Sequence, residues 1–272
     1  MSWYANLDDA VALIKPDMAV AIPPEYCGVA IAATHTLIRQ ETGGLHLIAV
    51  PQSGLQADLL IGAGLVATME AAAVTLGEAG PAPCFSRAVT SGAIRMVDAT
   101  CPAIHAGLQA SEKGIPFMPL RGILETDVLA NRQDWQVADN PFGDSDPLVL
   151  IPAIRPDVAL FHCEMADAAG NVWIGRRREL AVMAHAAATT IVTVEEIHDG
   201  DLFDDDTIAA GALSSLFVDA VVHVSDGARP LAMPGYYDRD AAAISAYASA
   251  ARSPEGFAAY LGEHVLKGNV PA

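Results

Sequence analysis

The sequence predicts an α/β fold in which an open, mostly parallel sheet is flanked by helices, with residues 1–272 forming a single domain. Apolar runs of strand length alternate with segments of helical spacing, and the first runs end in loops that contain proline and glycine. The composition agrees, since 52% of the 272 residues are apolar and only 6% are aromatic. Abundant Ala, Val, Leu and Ile with few aromatics are typical of helices packed on a buried parallel sheet.

The beginning of the chain repeats a pattern of strand, loop and helix. A helix over residues 7–14 stops before the turn Lys15-Pro16-Asp17, which leads into the strand MAVAI. A helix over residues 29–40 follows, Gly43-Gly44 ends it, and LHLIAV is a second buried strand. AIRMVDAT is a third strand-like run, followed by the helix PAIHAGLQASEKG. This repetition favours right-handed βαβ units.

The loops after the first two strands are candidates for a binding site. Residues 22–28 follow the first strand as IPPEYCG, and residues 51–54 follow the second as PQSG. Because the carboxyl ends of parallel strands line the ligand crevice of an open α/β sheet, we expect substrate-binding groups in both loops. A solvated loop carboxylate is the alternative interpretation of the glutamate. The candidates are Glu25, Gly28, Gln52, Ser53 and Gly54.

The middle of the chain carries further polar residues in irregular segments. The third strand ends in Asp98 and Thr100, and the extended run IPFMPLRG leads to ILETD with Glu125. Structural alternatives are open here, with Asp98 as a helix N-cap, Arg121 in a buried ion pair and Glu125 in the first turn of a helix. Residues 133–147 are polar and turn-rich, which predicts a long surface loop or an edge hairpin.

The second half contains the longest strand patterns and an arginine cluster. LVLIPAI and DVALFHC are strands on either side of a turn, and VWI after Gly170-Asn171 predicts a hairpin-like return. Glu164 and Asp167 are polar residues at that turn, and Arg176 to Arg178 form either a solvated rim or a cluster that faces an anion. A helix, the strands TTIVTVEEI and VDAVVHV, and two final helices to Leu266 complete the chain.

Several functional classes are disfavoured by composition and motif. A formal charge of −18 argues against binding nucleic acid through a broad basic surface. No apolar run approaches a membrane span, and MSWYANLDDA lacks the features of a signal peptide, so we expect a cytoplasmic protein with no membrane contact. The four cysteines are widely spaced, which predicts buried reduced thiols, and we expect no metal site, including in the acidic loop 199–206. A Gly-x-Ser-x-Gly elbow is absent.

Three segments in the same order carry a resemblance to a known family. These are GLQADLLIGAG followed by Glu70, then GIPFMPLRGILETD, then PDVALFHCEMADAAGNVWIG. Together they resemble the A-type subunit of family I coenzyme A transferases, of the glutaconate and 3-oxoadipate type, including relatives that act on ring-opened steroid thioesters. The resemblance implies an open α/β fold of the coenzyme A transferase type, which is NagB-RpiA-like.

The resemblance also implies a partner subunit, the substrates and the catalytic role of each subunit. We expect a heteromer such as α2β2 with a separately encoded B subunit, and we expect an acyl-CoA and a carboxylic acid as substrates. Coenzyme A is then a substrate thioester and no cofactor is permanently bound. In the family, the nucleophile that attacks the thioester is a glutamate of the B subunit. The B-type motif Glu-Asn-Gly is absent here, so this chain is expected to shape the acyl pocket. The resemblance also makes Glu164 and Asp167 secondary candidates, and it implies that Arg176 to Arg178 contact another subunit or an anionic part of a ligand.

Departures from the family pattern mark the remaining candidates. The glycine-rich loop after the first strand is replaced by Ile22 to Gly28, and Glu125 stands where relatives have a glycine. Asp98 stands where hydrolytic relatives carry a glutamate that is a candidate base. We therefore expect Asp98 and Glu125 as catalytic groups, and we add as substrate-binding residues Thr100, Arg121, Gly122 and Thr126. The alternatives are a subunit of a thioester or ring-cleaving hydrolase, and a non-catalytic scaffold subunit.

Overall fold

The computed structural model describes residues 2–26 and 28–267. Its strands are β1 Ser2–Trp3, β2 Ala19–Ile22, β3 Leu45–Ala49, β4 Gln52–Ser53, β5 Val66–Ala71, β6 Ala73–Val74, β7 Arg95–Asp98, β8 Phe117–Leu120, β9 Gln136–Asp139, β10 Pro147–Pro152, β11 Val158–Asp167, β12 Val172–Trp173, β13 Thr189–His198, β14 Ala212–Leu213 and β15 Ala220–His223. Its α-helices are α1 Leu7–Val11, α2 Ile31–Arg39, α3 Leu55–Gly62, α4 Pro83–Ser91, α5 Cys101–Glu112, α6 Asp127–Asn131, α7 Arg178–Ala186, α8 Ala241–Ala250 and α9 Pro254–Leu261.

The main sheet is open and mostly parallel, so the predicted fold class is confirmed. Its strand order is β1-β15-β13-β11-β2-β3-β5-β7, and every neighbouring pair along this path is parallel. The short strands β12 and β14 add an antiparallel extension beside β11. From central β2 the chain runs outward to β7, and it then returns to β11 and runs outward the other way. This reversal creates a topological switch point between β2 and β11.

Two apolar layers cover the two faces of this sheet. Leu47 and Met69 of the strands pack with Leu37, Leu59 and Tyr247 of α2, α3 and α8 on one face. On the other face, Phe161 of β11 packs with side chains of α5 and α7. All of these named side chains are fully buried. Because both faces are covered, the strands are continuous apolar runs, as the sequence indicates.

A small antiparallel sheet lies beside the main one. Its order is β8-β10-β9, and Val149 and Ile151 of β10 pack with Ile123 and Trp135. The register pairs Pro147 with Asp139, so the polar segment 133–147 forms an edge hairpin, one of the two predicted alternatives.

Local hydrogen bonds decide several helix boundaries. Thr100 is the N-cap of α5 and its hydroxyl accepts from Ala103 N at 3.3 Å, so the interpretation of Asp98 as a cap is wrong. Thr126 caps α6, which places Glu125 outside that helix. Gly92 ends α4 with φ 70°, a conformation that glycine adopts without strain. The last helix continues from α9 as a π-helical turn over Gly262–Leu266.

Within residues 2–26 and 28–267, no helix is long and apolar enough to cross a membrane. In the same part of the chain, no cluster of three or more His, Cys, Asp or Glu is placed to hold a metal ion. Cys84 and Cys163 are buried as expected, whereas Cys101 is exposed at the start of α5. The expectation of buried thiols is therefore wrong for Cys101, and Cys27 lies outside the described residues.

Candidate functional site

The loop that leaves β2 lies at the switch point, beside the carboxyl-terminal half of β11. The Gly28 carbonyl accepts a hydrogen bond from His162 N at 2.7 Å, which continues the contact with β11 beyond the end of β2. Gly28 has φ 64°, and a Cβ at this position would overlap the His162 carbonyl oxygen. Only glycine therefore satisfies both the backbone conformation and the close approach. Gly28 therefore allows the loop to pack directly against the strand.

Gly28→Ala is expected to lower the free energy of unfolding by about 2 kcal/mol, because the new methyl group forces the loop away from β11. Gly122→Ala is the matched control, since a Cβ at Gly122 meets nothing within 4 Å and its φ is not positive. Urea unfolding of both variants measures the difference. Equal losses for the two variants would contradict the packing role of Gly28.

The Glu25 carboxylate lies at the N-terminus of α3. Its Oε2 accepts a hydrogen bond from Leu55 N at 2.7 Å. A Cβ on Gly54 would overlap this carboxylate, so the glycine at the entry of α3 makes room for it. The two predicted loops, residues 22–28 and 51–54, are thus joined through one side chain. The solvated-loop interpretation of Glu25 is wrong, since its side chain is only 14% exposed.

Burial raises the pKa of Glu25 to about 7. The Leu55 N–H and the Arg239 guanidinium oppose this shift because they favour the anion, and the negative charge of Asp58 adds to it. Arg239 Nη2 lies 4.0 Å from Glu25 Oε1 and donates to the Leu76 carbonyl at 3.0 Å. A carboxyl group that titrates near neutral pH is suited to proton transfer.

Buried polar atoms without hydrogen-bond partners occur on Glu25, on Arg239 beside it, and on the two residues that flank its contacts Gly54 and Leu55. Ser53 is 1% exposed and Gln56 is fully buried, yet Ser53 Oγ and both amide atoms of Gln56 lack partners. Glu25 Oε1 and Arg239 Nε are also buried without a hydrogen-bond partner. Leaving a buried polar atom unpaired costs about 1–3 kcal/mol, so such a group in a native fold calls for an unseen partner. We name Glu25, Ser53, Gln56 and Arg239 the Glu25 cluster.

The two predicted catalytic groups lie elsewhere. Asp98 is exposed at the end of edge strand β7, and its Oδ2 accepts from Asn131 of α6 at 3.4 Å. Glu125 is exposed with φ 59°, so it is not a first-turn residue of α6. Within the described residues, no hydrogen bond or ion pair joins Asp98 or Glu125 to Glu25. The structure therefore divides the predicted site residues into two groups.

The remaining residues of the second group have structural contacts. Arg121 pairs with Asp146 through Nε at 2.9 Å and through Nη2, but its side chain is 63% exposed, so the interpretation as a buried ion pair is wrong. Thr126 caps α6 and donates to the Ile123 carbonyl at 2.8 Å. Arg132 links this region to the main sheet, because it contacts Glu70 at 3.0 Å and donates to the Asp98 carbonyl at 2.9 Å.

A buried network surrounds Glu195 near the carboxyl end of β13. Its Oε1 accepts from His162 Nε2 at 2.6 Å, from the Tyr237 hydroxyl and from Gly227 N at 3.2 Å. Its Oε2 accepts from Asp226 N at 2.7 Å. Burial raises the pKa of Glu195, but the hydrogen bonds from His162 and Tyr237 outweigh it and hold the pKa below its usual value. The network fixes the segment 226–237, and Arg239 lies just beyond it.

The turn after β11 is a structural element. Asp167 accepts from Asn171 N at 3.0 Å and from Leu202 N at 3.1 Å, and Glu164 pairs with Arg177. Both side chains thus have structural contacts within the described residues. Arg176 and Arg178 on either side are exposed.

Residues 4–224 match the family described as coenzyme A transferase. The chain belongs to the coenzyme A transferase family. The A-type subunit of the 3-oxoadipate CoA-transferase of Pseudomonas knackmussii is 32% identical over 241 residues, which cover 86% of this chain and 83% of the relative. The family resemblance predicted from three segments is thereby confirmed. Those segments contain α3, β8 and β11.

Other coenzyme A transferase relatives extend the comparison. Glutaconate coenzyme A-transferase from Acidaminococcus fermentans superposes with a TM-score of 0.89, covering 99% of this chain and 90% of that chain at 24% identity, which supports the shared fold. The cholesterol ring-cleaving hydrolase IpdA subunit of Rhodococcus jostii is 27% identical over 274 residues, which cover 96% of this chain and 90% of the relative. The proteins that this chain resembles thus carry names of different reactions.

Sequence patterns missed two members of the Glu25 cluster. Gln56 is a polar residue in the otherwise apolar start of LQADLLIG, which is a signal that could have been used. Arg239 lies in the irregular run GYYDRD, where no periodicity indicates which side chain points inward. Its guanidinium contacts Leu76 and Glu25, which are far from it in the chain.

Proposed function

We propose that this chain is the A-type component of a heteromeric coenzyme A transferase that moves coenzyme A between an acyl-CoA and a free carboxylic acid. The Glu25 cluster at the switch point carries the proposal, because it is a polar site whose buried atoms lack partners within the described residues. The 3-oxoadipate CoA-transferase relative supports the reaction class. The absence of Glu-Asn-Gly from this sequence supports a nucleophile supplied by a B subunit, in an assembly such as α2β2.

In the proposed reaction, the partner's glutamate carboxylate attacks the thioester carbonyl and the coenzyme A thiolate leaves, which gives a mixed anhydride. The thiolate then attacks the glutamyl carbonyl, releases the first acid and leaves a glutamyl thioester. An acceptor carboxylate repeats the sequence in reverse. This chain contributes polar contacts to the acyl group from Ser53, Gln56 and Arg239, next to the Gly54 and Leu55 backbone. The thioester is a substrate, and no resident cofactor takes part.

The isolated chain is expected to be inactive, because it lacks the nucleophile. Co-expression with a B-type subunit is expected to restore exchange of coenzyme A between an acyl-CoA and an acceptor acid, by at least about 1,000-fold over background. Chromatographic separation of the two acyl-CoA species measures this exchange. Robust exchange by the isolated chain would contradict its assignment to a two-component enzyme.

The second candidate is a component of a hydrolase, which the ring-cleaving hydrolase relative favours together with the exposure of Asp98 and Glu125. A carboxylate open to water can activate it for attack on a thioester or a ring ketone. Release of free coenzyme A from acyl-CoA without acceptor acid separates this reaction from transfer. If alanine at both Asp98 and Glu125 leaves the activity of the complex unchanged, the two groups have no catalytic role, and a scaffold role for this region gains support.

A further inference from the structure

The two oxygens of the Glu25 carboxyl group have different surroundings. Oε2 is occupied by the Leu55 N–H at 2.7 Å. Oε1 is buried and lacks a hydrogen-bond partner, with Arg239 Nη2 at 4.0 Å. An N–H donor selects the unprotonated oxygen of a carboxylic acid, so a proton on this group resides on Oε1. Because Oε1 has no hydrogen-bond partner within the described residues, the acid form carries its O–H on the unpaired oxygen.

We propose that Glu25 binds the acyl ligand in its acid form, with Oε1–H donating a hydrogen bond to an oxygen of the thioester or carboxylate group. This inference rests on the proposed function for the identity of the ligand. It adds to that function a ligand-binding role for Glu25, with a defined protonation state and a defined donor atom. The ligand class is an acyl group that presents an acceptor oxygen toward α3.

The charges that face Glu25 from its neighbouring elements do not fix it as an anion. Arg239 contributes one positive charge, but its Nη2 also donates to the Leu76 carbonyl. Asp58 of α3 contributes a negative charge that disfavours the anion. Burial adds to this effect, in agreement with the pKa of about 7. At neutral pH a large fraction of Glu25 is therefore available as a donor.

The loop offers few alternative donors at this point. Pro23 and Pro24 precede Glu25, and proline has no backbone N–H. An acidic side chain in this loop can thus replace a missing backbone donor. A neutral acid in a desolvated site donates a strong hydrogen bond to an oxygen that gains negative charge.

Glu25→Gln separates this donor role from a role of the charge. A glutamine amide can accept from Leu55 N through its oxygen and donate from its nitrogen at the position of Oε1, at any pH. In the complex with the B subunit, kcat/KM of the unmodified protein is expected to fall about tenfold per pH unit above about pH 7. E25Q is expected to lose this decline and to keep most activity. E25A is expected to lose about 30-fold at pH 6, because it has no donor.

The Glu255→Gln variant is the control, since Glu255 is exposed in the first turn of α9. It is expected to keep the pH profile of the unmodified complex. An E25Q enzyme that keeps the alkaline decline, or an E25A enzyme with unmodified activity at pH 6, overturns the proposal.

A second readout does not depend on turnover. NMR of the chain labelled with ¹³C at glutamate Cδ, with the Glu25 signal assigned by its absence in E25Q, measures the pKa directly. We expect a value of about 7, and a rise of about one unit when glutarate is added, because a carboxylate ligand prefers the acid form. Titration near 4.5, or a pKa that glutarate does not change, overturns the donor role. If glutarate raises the pKa but the complex transfers no coenzyme A, the proposed function fails and the donor role stands.

Discussion

Glu195→Ala is expected to lower the free energy of unfolding by about 4 kcal/mol, as measured by urea unfolding at neutral pH. The substitution removes the common acceptor of His162 Nε2, the Tyr237 hydroxyl and two backbone N–H groups. These donors lie in a region where Glu195 is only 7% exposed, so water cannot fully replace the carboxylate. The expected loss of stability therefore combines the costs of leaving several buried donors unpaired.

One control variant and a pH series test this interpretation. Glu196→Ala changes the next residue, which is exposed, and is expected to cost about 0.5 kcal/mol or less. The pKa of Glu195 is lower in the folded state than in the unfolded state, so its contribution is present above the unfolded value and is lost as the pH falls through the folded value. The stability difference between the unmodified protein and E195A must therefore shrink in acid. A difference that grows on acidification would contradict the network.

Arg177→Met is expected to lower the free energy of unfolding by about 3–5 kcal/mol, because it leaves the Glu164 carboxylate buried without its cation. The two side chains are 12% and 8% exposed. Arg177 Nε also donates to the Ile174 carbonyl at 2.9 Å, which holds the chain between β12 and α7. Calorimetric unfolding measures the loss.

The neighbouring Arg178 provides a matched control for this second result. It is exposed, and Arg178→Met is expected to change stability by about 0.5 kcal/mol at most. The double variant E164Q/R177M is expected to recover part of the loss, since the buried charge is removed with its partner. If Arg178→Met costs as much as Arg177→Met, the ion pair is not the cause.

The sheet could be predicted from sequence because its determinants are local. MAVAI, LHLIAV and VDAVVHV are apolar runs of strand length bounded by turn signals, and each contains a strand of the parallel sheet. The loops after β2 and β3 could be placed at the crevice because parallel strands end at the same edge. Glu25, Ser53 and Gly54 are predicted as site candidates in this way, from their positions in the chain alone.

The local sequence pattern does not show that the predicted site residues form two separate groups. Whether Asp98 or Thr100 caps α5 depends on backbone angles over two residues, and the structure assigns the cap to Thr100. The exposure of Arg121 depends on how the hairpin of β9 and β10 brings Asp146 next to it. The contact between Glu25 and Arg239 joins residues far apart in the chain. Such contacts follow from tertiary packing, which a single sequence does not specify.

The Glu195 network affects how a mutational scan of this protein should be interpreted. Tyr237 is held by Glu195, and Arg239 follows two residues later beside Glu25. A variant at position 195 can thus reduce turnover without altering any group that touches substrate. A mutational scan that measures activity alone would therefore misassign position 195 as a contact with the ligand. A parallel measurement of protein abundance in cells separates the two cases. Variants at position 195 are expected to lower abundance, whereas variants at Glu25 are expected to lose activity at normal abundance.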